Sequence, residues 1–148
     1  MVRAIVQNDE VATGTGTKTL IQLLAGTNHE IKITEISVTF RGIDNLQKPI
    51  RVQLVKQTDA GTMSAATEVK VERTNSATLD TSATITATGE PTTSDVLRDW
   101  LVHPQGGVIY PVPDPEKFTV PGGERLGLRT INSGGTDTNC CASIEWEE

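Results

Sequence analysis

The sequence predicts an all-β chain, an antiparallel sandwich or barrel of about eight short strands preceded by an extended arm. Three observations carry this. The chain holds 22 threonines, which are β-branched, disfavoured in helices and at ease on strand faces. Aromatic residues make up only 3%, so the core must come from Ile, Val, Leu and Ala. Apolar residues alternate with polar ones in short runs bounded by Gly, Pro, Asn and Asp, as in sandwiches and barrels. At 148 residues a single domain can bury a core without metal or disulfide staples.

Residues 1–17 read as an N-terminal extended arm, and 18–148 as the β-sandwich domain. "MVRAIV" is apolar, and "QNDEVATGTGT" dissolves into Gly and Thr. Val2, Ile5, Val6 and Val11 would be wasted on solvent, so the arm reads either as a segment that docks on its own domain, a sister subunit or a larger partner, or as a frayed terminus.

"KTLIQLLA" (18–25) is too short between its Gly-Thr flanks for a helix and reads as a strand. In "HEIKITEISVTFRG" (29–42), Ile31 and Ile33 share one phase while Ile36, Val38 and Phe40 take the other. A one-residue slip turns every side chain over, so a β-bulge is expected near Thr34–Glu35. "PIRVQLVKQT" (49–58) directs Ile50, Val52 and Leu54 inward, and "TEVKVER" (67–73) directs Val69 and Val71 inward; "DAGTMSA" between them is a turn. A weak strand follows at 82–88. "DVLRDWLVHP" (95–104) clusters Val96, Leu97, Trp100, Leu101 and Val102, with room for one opening helical turn capped by Ser94 or Asp95, and the residue before Pro104 ends any helix by His103. "GVIYPVP" (107–113) is strand-like, with prolines that belong at an edge. In "FTVPGGERLGLRT" (118–130), Gly122 and Gly123 supply positive φ before Leu126 and Leu128 turn inward. "TNCCASIEWEE" (138–148) closes with Cys140, Ala142, Ile144 and Trp146 on one face.

The formal charge of −6 excludes the basic footprint that nucleic acid binding requires. No apolar run is long enough for a helical membrane span. "MVRAIVQNDEV" lacks the apolar core of a signal peptide, so synthesis in a cytoplasm is expected. Cys140 and Cys141 are adjacent, and strand neighbours face opposite ways; two reduced thiols, one buried and one exposed, are expected.

The stretch 101–129 gathers His103 with Asp114, Glu116 and Glu124 and is the natural place to seek an active site. The search fails on spacing. His29 and His103 are the only histidines, neither has a histidine two residues on, and a cupin-like metal centre needs several imidazoles. There is no nucleophile elbow, phosphate loop or dinucleotide fingerprint, and the acidic loops lack the oxygen spacing of a calcium loop. No catalytic residue, metal or cofactor is expected. His103 is expected to serve a turn, and prolines 111, 113 and 115 to protect an edge.

"TKTLIQLLAGTNHEIKITEISVTFRG", "VQLVKQTDAGT", "WLVHPQGG" and "VPGGERLGLR" together resemble the decoration (cement) proteins of tailed-phage heads. The resemblance implies a jelly-roll-like antiparallel β-sandwich and a non-enzymatic virion protein on the capsid exterior. It implies a homo-oligomer, a trimer, that bridges neighbouring major capsid subunits, with the arm as an inter-subunit strap. On that reading the contact candidates are Val2, Ile5, Val6 and Val11 of the arm, with Val55, Ile109, Tyr110, Val112 and Pro113 on outer faces and rim. The competing expectation is a phage tail or fibre module, or a receptor- or carbohydrate-binding sandwich with exposed aromatics; Trp100 and Trp146, both in apolar runs, are expected to be buried.

Overall fold

The computed structural model describes residues 1–114 and 118–148. The chain is a β-sandwich of two antiparallel sheets, and among the described residues there is no helix. In chain order the strands are β1 (Arg3–Gln7), β2 (Val11–Ala12), β3 (Thr17–Leu24), β4 (Ile31–Phe40), β5 (Ile50–Gln57), β6 (Thr62–Ala65), β7 (Val69–Lys70), β8 (Ser82–Gly89), β9 (Thr93–Val102), β10 (Gly107–Pro111), β11 (Phe118–Val120), β12 (Arg125–Ile131) and β13 (Asn139–Glu147). One sheet runs β10-β4-β13-β1-β7, with β11 also on β4 and β2 on β13; the other runs β6-β8-β3-β12-β5-β9. Most connections cross from one sheet to the other, as in Greek-key sandwiches.

The alternation read in the sequence builds the core. Leu20, Ile21 and Leu23 of β3, Val52 and Leu54 of β5, and Leu126 and Leu128 of β12 face Ile31, Ile33, Ile36 and Val38 of β4 and Ile144 and Trp146 of β13. Each is essentially inaccessible to solvent, a burial that stabilises by about 1.5–3 kcal/mol per aliphatic side chain. The phase slip in β4 is resolved by a bulge: Glu35 faces Glu145 while Ile33 faces Trp146, leaving Thr34 unpaired. Ile33 and Ile36 therefore both reach the core. The Thr34 carbonyl accepts from Val112 N at 2.8 Å, where the edge chain passes from β10 to β11.

Of the alternatives for the arm, the structure has it docked on its own domain: β1 is inserted between β13 and β7, with Val2, Ala4 and Val6 buried. These residues alternate with Arg3, Ile5 and Gln7, so one face of the segment is apolar and completes the core. Asn132 anchors the Thr13–Gly14 backbone beyond β2, its Nδ2 lying 3.1 Å from Thr13 Oγ1, 2.9 Å from Gly14 O and 2.8 Å from Thr136 O. Other expectations change. Residues 62–65, expected as a turn, form β6, and 93–102, read with room for an opening helical turn, form a ten-residue strand. Val69 and Val71 are exposed rather than inward, because β7 keeps only two residues in the ladder. Of Gly122 and Gly123, only the second has positive φ, at 81°. Gly122 is required for a different reason: a Cβ there would lie 2.5 Å from the Thr27 carbonyl oxygen.

Thr86 is the one described non-glycine residue with positive φ, at 54°. It falls where β8, paired with β3 through Ile85, departs from it. A left-handed conformation costs an L-residue roughly 1–2 kcal/mol, against roughly 0.5–1 kcal/mol for the extra freedom of an unfolded glycine. Thr86→Gly is therefore expected to stabilise the fold by about 0.5–1 kcal/mol, raising Tm by about 2 °C. A lower melting temperature by circular dichroism would show that the Thr86 side chain contributes more than its backbone strain removes.

Candidate interaction surface

The histidines are both engaged in structure. His103 sits in the turn joining β9 to β10, closed by Gly106 N donating to the His103 carbonyl at 2.9 Å. Its Nδ1 accepts from Gln105 N at 3.1 Å, and its Nε2 lies 3.2 Å from the Asn45 carbonyl. A ring carrying its proton on Nε2 satisfies both. His29 lies 3.2 Å from Asp80 Oδ2. Among the described residues no three His, Cys, Asp or Glu side chains are grouped to hold a metal ion. Glu116 and Pro115, singled out in the sequence, lie outside the described residues.

The nine contact candidates separate by burial. Val2, Val6, Val55 and Val112 are buried within this chain and are not surface contacts. For Val2 and Val6 the cause is the inserted β1. Val55 lies opposite Val96 and Gly127 on an outer face that the chain itself covers. Val112 turns into the core after leaving β10. Ile5, Val11 and Tyr110 are half-buried, whereas Pro113 is exposed and Ile109 is 66% exposed.

The outer face of the six-stranded sheet also carries a polar network. Gln22 Nε2 donates to Gln57 Oε1 at 2.7 Å and to the Asp59 carbonyl at 2.9 Å. Gln57 Nε2 donates to Thr19 Oγ1 at 3.0 Å, which donates to Glu90 Oε2 at 2.7 Å. Glu90 Oε1 accepts from Thr19 N at 2.8 Å, replacing the strand partner that β8 withdrew at Thr86. A Cβ at Gly127 would lie 2.3 Å from Gln57 Oε1, so a side chain there would displace the Gln57 amide from this network. Thr19, Gln22 and Gln57 are consequently buried although they point away from the core.

Two of the sheet edges, β9 and β10, are blunted. Against β5, strand β9 shifts register between Lys56 and Gln57 and between Leu54 and Val55; Ser94 and Leu97 are the extra residues. Bulges of this kind, together with the edge charges Asp95, Arg98 and Asp99, oppose edge-to-edge pairing. On the opposite sheet Pro111 lacks the donor a ladder needs. Between these two edges Trp100 and Tyr110 pack with ring centroids 5.6 Å apart at 53°, and Arg98 lies 5.0 Å over the Phe118 ring. Trp146 is fully buried, whereas Trp100 is half-buried, a correction that follows from its place at the open side of the sandwich.

Exposed apolar surface collects elsewhere. Ile43 and Leu46, in the β4–β5 loop, are 90% and 86% exposed, and Leu101 is 71% exposed. Next to Leu101 an open recess of about 290 Å³ runs between Trp100 and Val108. "GIDNLQK" (42–48) reads from the sequence as a loop, and none of its residues is among the contact candidates.

Both cysteines are free, Cys140 buried and Cys141 exposed. Burial first, then the neighbouring Cys141, pushes the Cys140 thiol from 9.0 up to about 12. A thiol whose folded pKa is raised keeps its proton in the fold and loses it in the unfolded chain. The stability it contributes is complete below about pH 9 and is lost between about 9 and 12. Cys140→Ala is thus expected to flatten the fall in unfolding free energy between pH 8 and pH 10.5; equal slopes in wild type and variant would contradict this. A thiol reagent should label Cys141 in the native protein and reach Cys140 only in denaturant.

No protein-family model matches the chain, and no similar curated protein or solved structure was found. Fold and surface together describe an antiparallel β-sandwich with two blunted edges and a protruding apolar loop.

Proposed function

We propose that the chain is a non-enzymatic virion structural protein, a capsid decoration (cement) protein. It binds the exterior of a tailed-phage head, bridges neighbouring major capsid subunits and stabilises the shell against the pressure of packaged DNA. The observation that carries this reading is the β4–β5 loop, whose Gly42 N donates to the Pro104 carbonyl at 2.6 Å and whose Asn45 carbonyl meets His103 Nε2 at 3.2 Å, and which bears Ile43 and Leu46, two large side chains that the chain's own core leaves uncovered. Surfaces of that kind mark contact with another protein. The turn and strand motifs that resemble head decoration proteins point the same way. Its partners are further copies of itself, as a homotrimer, and the major capsid protein, with no nucleic acid, membrane or cofactor. Synthesis is in the host cytoplasm. The formal charge of −6 disfavours adsorption to DNA. Each bound copy stabilises the lattice by mass action, and a trimer adds effective concentration.

Heads lacking the protein should bind it saturably in co-sedimentation and rupture at a higher temperature once loaded. Absence of co-sedimentation at micromolar protein would refute the reading. A second reading, a tail or fibre module that binds carbohydrate, is favoured by the half-buried Trp100–Tyr110 pair beside the open recess. A glycan array without hits removes its carbohydrate-binding form.

A further inference from the structure

Two half-buried cations, Lys56 and Arg125, stand where β5 ends and β12 begins. Arg125 opens β12, with Leu24 of β3 on one side in the ladder and Gln57 of β5 on the other. Lys56 precedes Gln57. Both cations line an open recess of about 370 Å³, with Thr58, Ser94, Asp95 and Glu124 around them. That volume falls within the range of small-molecule sites, roughly 300–1,000 Å³.

Neither cation is neutralised by the fold. Among the described residues no hydrogen bond or ion pair of this chain engages the charged end of Lys56 or Arg125. Asp95 and Glu124 are exposed and form no ion pair with either. Arg125 Nε is enclosed without an acceptor, so packing rather than bonding holds the stem. Its neighbour Gln57 is committed elsewhere: Oε1 accepts from Gln22 and Nε2 donates to Thr19. Asp59 is committed too, with Oδ1 accepting from Gly61 N at 3.0 Å and Thr92 N at 3.2 Å. Those bonds, Thr92 first, and last the charge of Arg125, hold the Asp59 carboxyl below its usual range. Arg129, two residues on and also half-buried, shows what a satisfied arginine looks like here. Its Nε and Nη2 donate to Gln53 Oε1 at 3.0 and 2.8 Å, and its Nη1 to Thr93 Oγ1 at 2.9 Å.

An enclosed charged donor without an acceptor is costly, and a carboxylate is the acceptor that fits the guanidinium fork. Arg125 Nη1 and Nη2 are not enclosed and can meet one arriving in the recess, while Lys56 supplies a point charge. The recess is set in advance. Gly123 N donates to the Ala25 carbonyl at 3.0 Å, Ala25 N to the Glu124 carbonyl at 3.1 Å and Glu124 N to the Pro121 carbonyl at 3.1 Å. A site so held loses little freedom on binding. Its formal charges cancel, Lys56 and Arg125 against Asp95 and Glu124, so the rim carboxylates tolerate a single negative charge and oppose a dianion.

We propose that this recess is a carboxylate-binding site, in which Arg125 gives the paired contact and Lys56 the supporting charge to a monoanionic acid. The inference is independent of the proposed function.

Nuclear magnetic resonance of nitrogen-labelled protein tests it, at constant ionic strength set with chloride. The probes are sodium acetate, an end-blocked tripeptide with a central glutamate, and sodium phosphate. Acetate should shift the Arg125 Nε–H and Gly123 amide signals saturably, with a Kd of about 1–10 mM. The Nε–H of exposed Arg73 should not follow the same curve. Arg125→Gln and Lys56→Gln should each weaken acetate binding at least fivefold, and Asp95→Asn should tighten it. The lysine variant keeps the test valid if loss of Arg125 disturbs the strand. Tighter binding of the tripeptide than of acetate assigns the site to a protein side chain, and the reverse to a free acid; both support the proposal. No saturable shift up to about 50 mM acetate overturns it. So do an equal response at Arg73, affinity that survives both glutamine substitutions, and phosphate bound more tightly than acetate.

Discussion

Trp146→Ala is expected to cost about 3–5 kcal/mol of folding stability. The indole is fully buried, set between Ala4 of β1 and Ile33 of β4 in the ladder. Its Nε1 lies 3.4 Å from Glu148 Oε2. Removing it opens a cavity where the N-terminal strand, the bulged strand and the last strand converge. With only about 3% aromatic residues in the chain, no comparable side chain can fill the gap. Typical domains are stable by about 5–15 kcal/mol, so the variant should be near its threshold. Urea denaturation followed by circular dichroism measures the effect. Trp100→Ala, at the half-buried edge, should cost much less. Equal costs would mean that the open side of the sandwich is packed as tightly as its centre.

The second large effect is expected at Asn132, which is 2% exposed. Its amide nitrogen serves Thr13 Oγ1, Gly14 O and Thr136 O, and Gly135 packs against its Oδ1, where a Cβ would approach to 2.0 Å. Asn132→Ala removes three hydrogen bonds at about 0.5–1.5 kcal/mol each, while Thr13 Oγ1, Gly14 O and Thr136 O each keep one donor, from Thr138 N, Thr13 Oγ1 and Thr138 Oγ1, for an expected loss of about 2–3 kcal/mol. The damage should be local first. Thr13 N, bonded to Thr138 O at 2.9 Å, and Asn132 N, bonded to Gly16 O at 3.0 Å, should exchange with solvent faster than the amides of β12 and β5. Uniformly faster exchange would show that the contact serves the whole fold rather than the docking of the N-terminal segment.

These two sites show where the sequence was informative. Ile144 and Trp146 alternate with Ser143 and Glu145, so their burial was legible, and the slip from Ile33 to Ile36 placed the bulge at Thr34. Strand β9 was misread for a physical reason. Its bulges at Ser94 and Leu97 break the two-residue period, and Val96, Leu97, Trp100 and Leu101 then mimic one face of a helical turn. The network of Thr19, Gln22, Gln57 and Glu90 gave no signal, because polar residues on an outward phase look solvated. Asp59 and Glu90, which help to close over that face, are remote in sequence from Thr19 and Gln22. Ile43 and Leu46 passed as ordinary loop residues because periodicity says nothing about a two-residue apolar pair. Their exposure of 90% and 86% emerges only with the folded chain.

The blunted edges bear on how the chain can associate. With bulges and charges along β9 and prolines beside β10, a partner gains little from adding a strand at those two edges. Association on that side of the molecule is left to side-chain surfaces such as the exposed Ile43 and Leu46. The most direct measurement of the proposed role is electron cryomicroscopy of heads assembled without the protein and then loaded with it. The account predicts added density on the outer capsid surface, repeated at the seams between major capsid subunits, with the β4–β5 loop end in contact. Density confined to the tail, or heads that look the same with and without the protein, would contradict it.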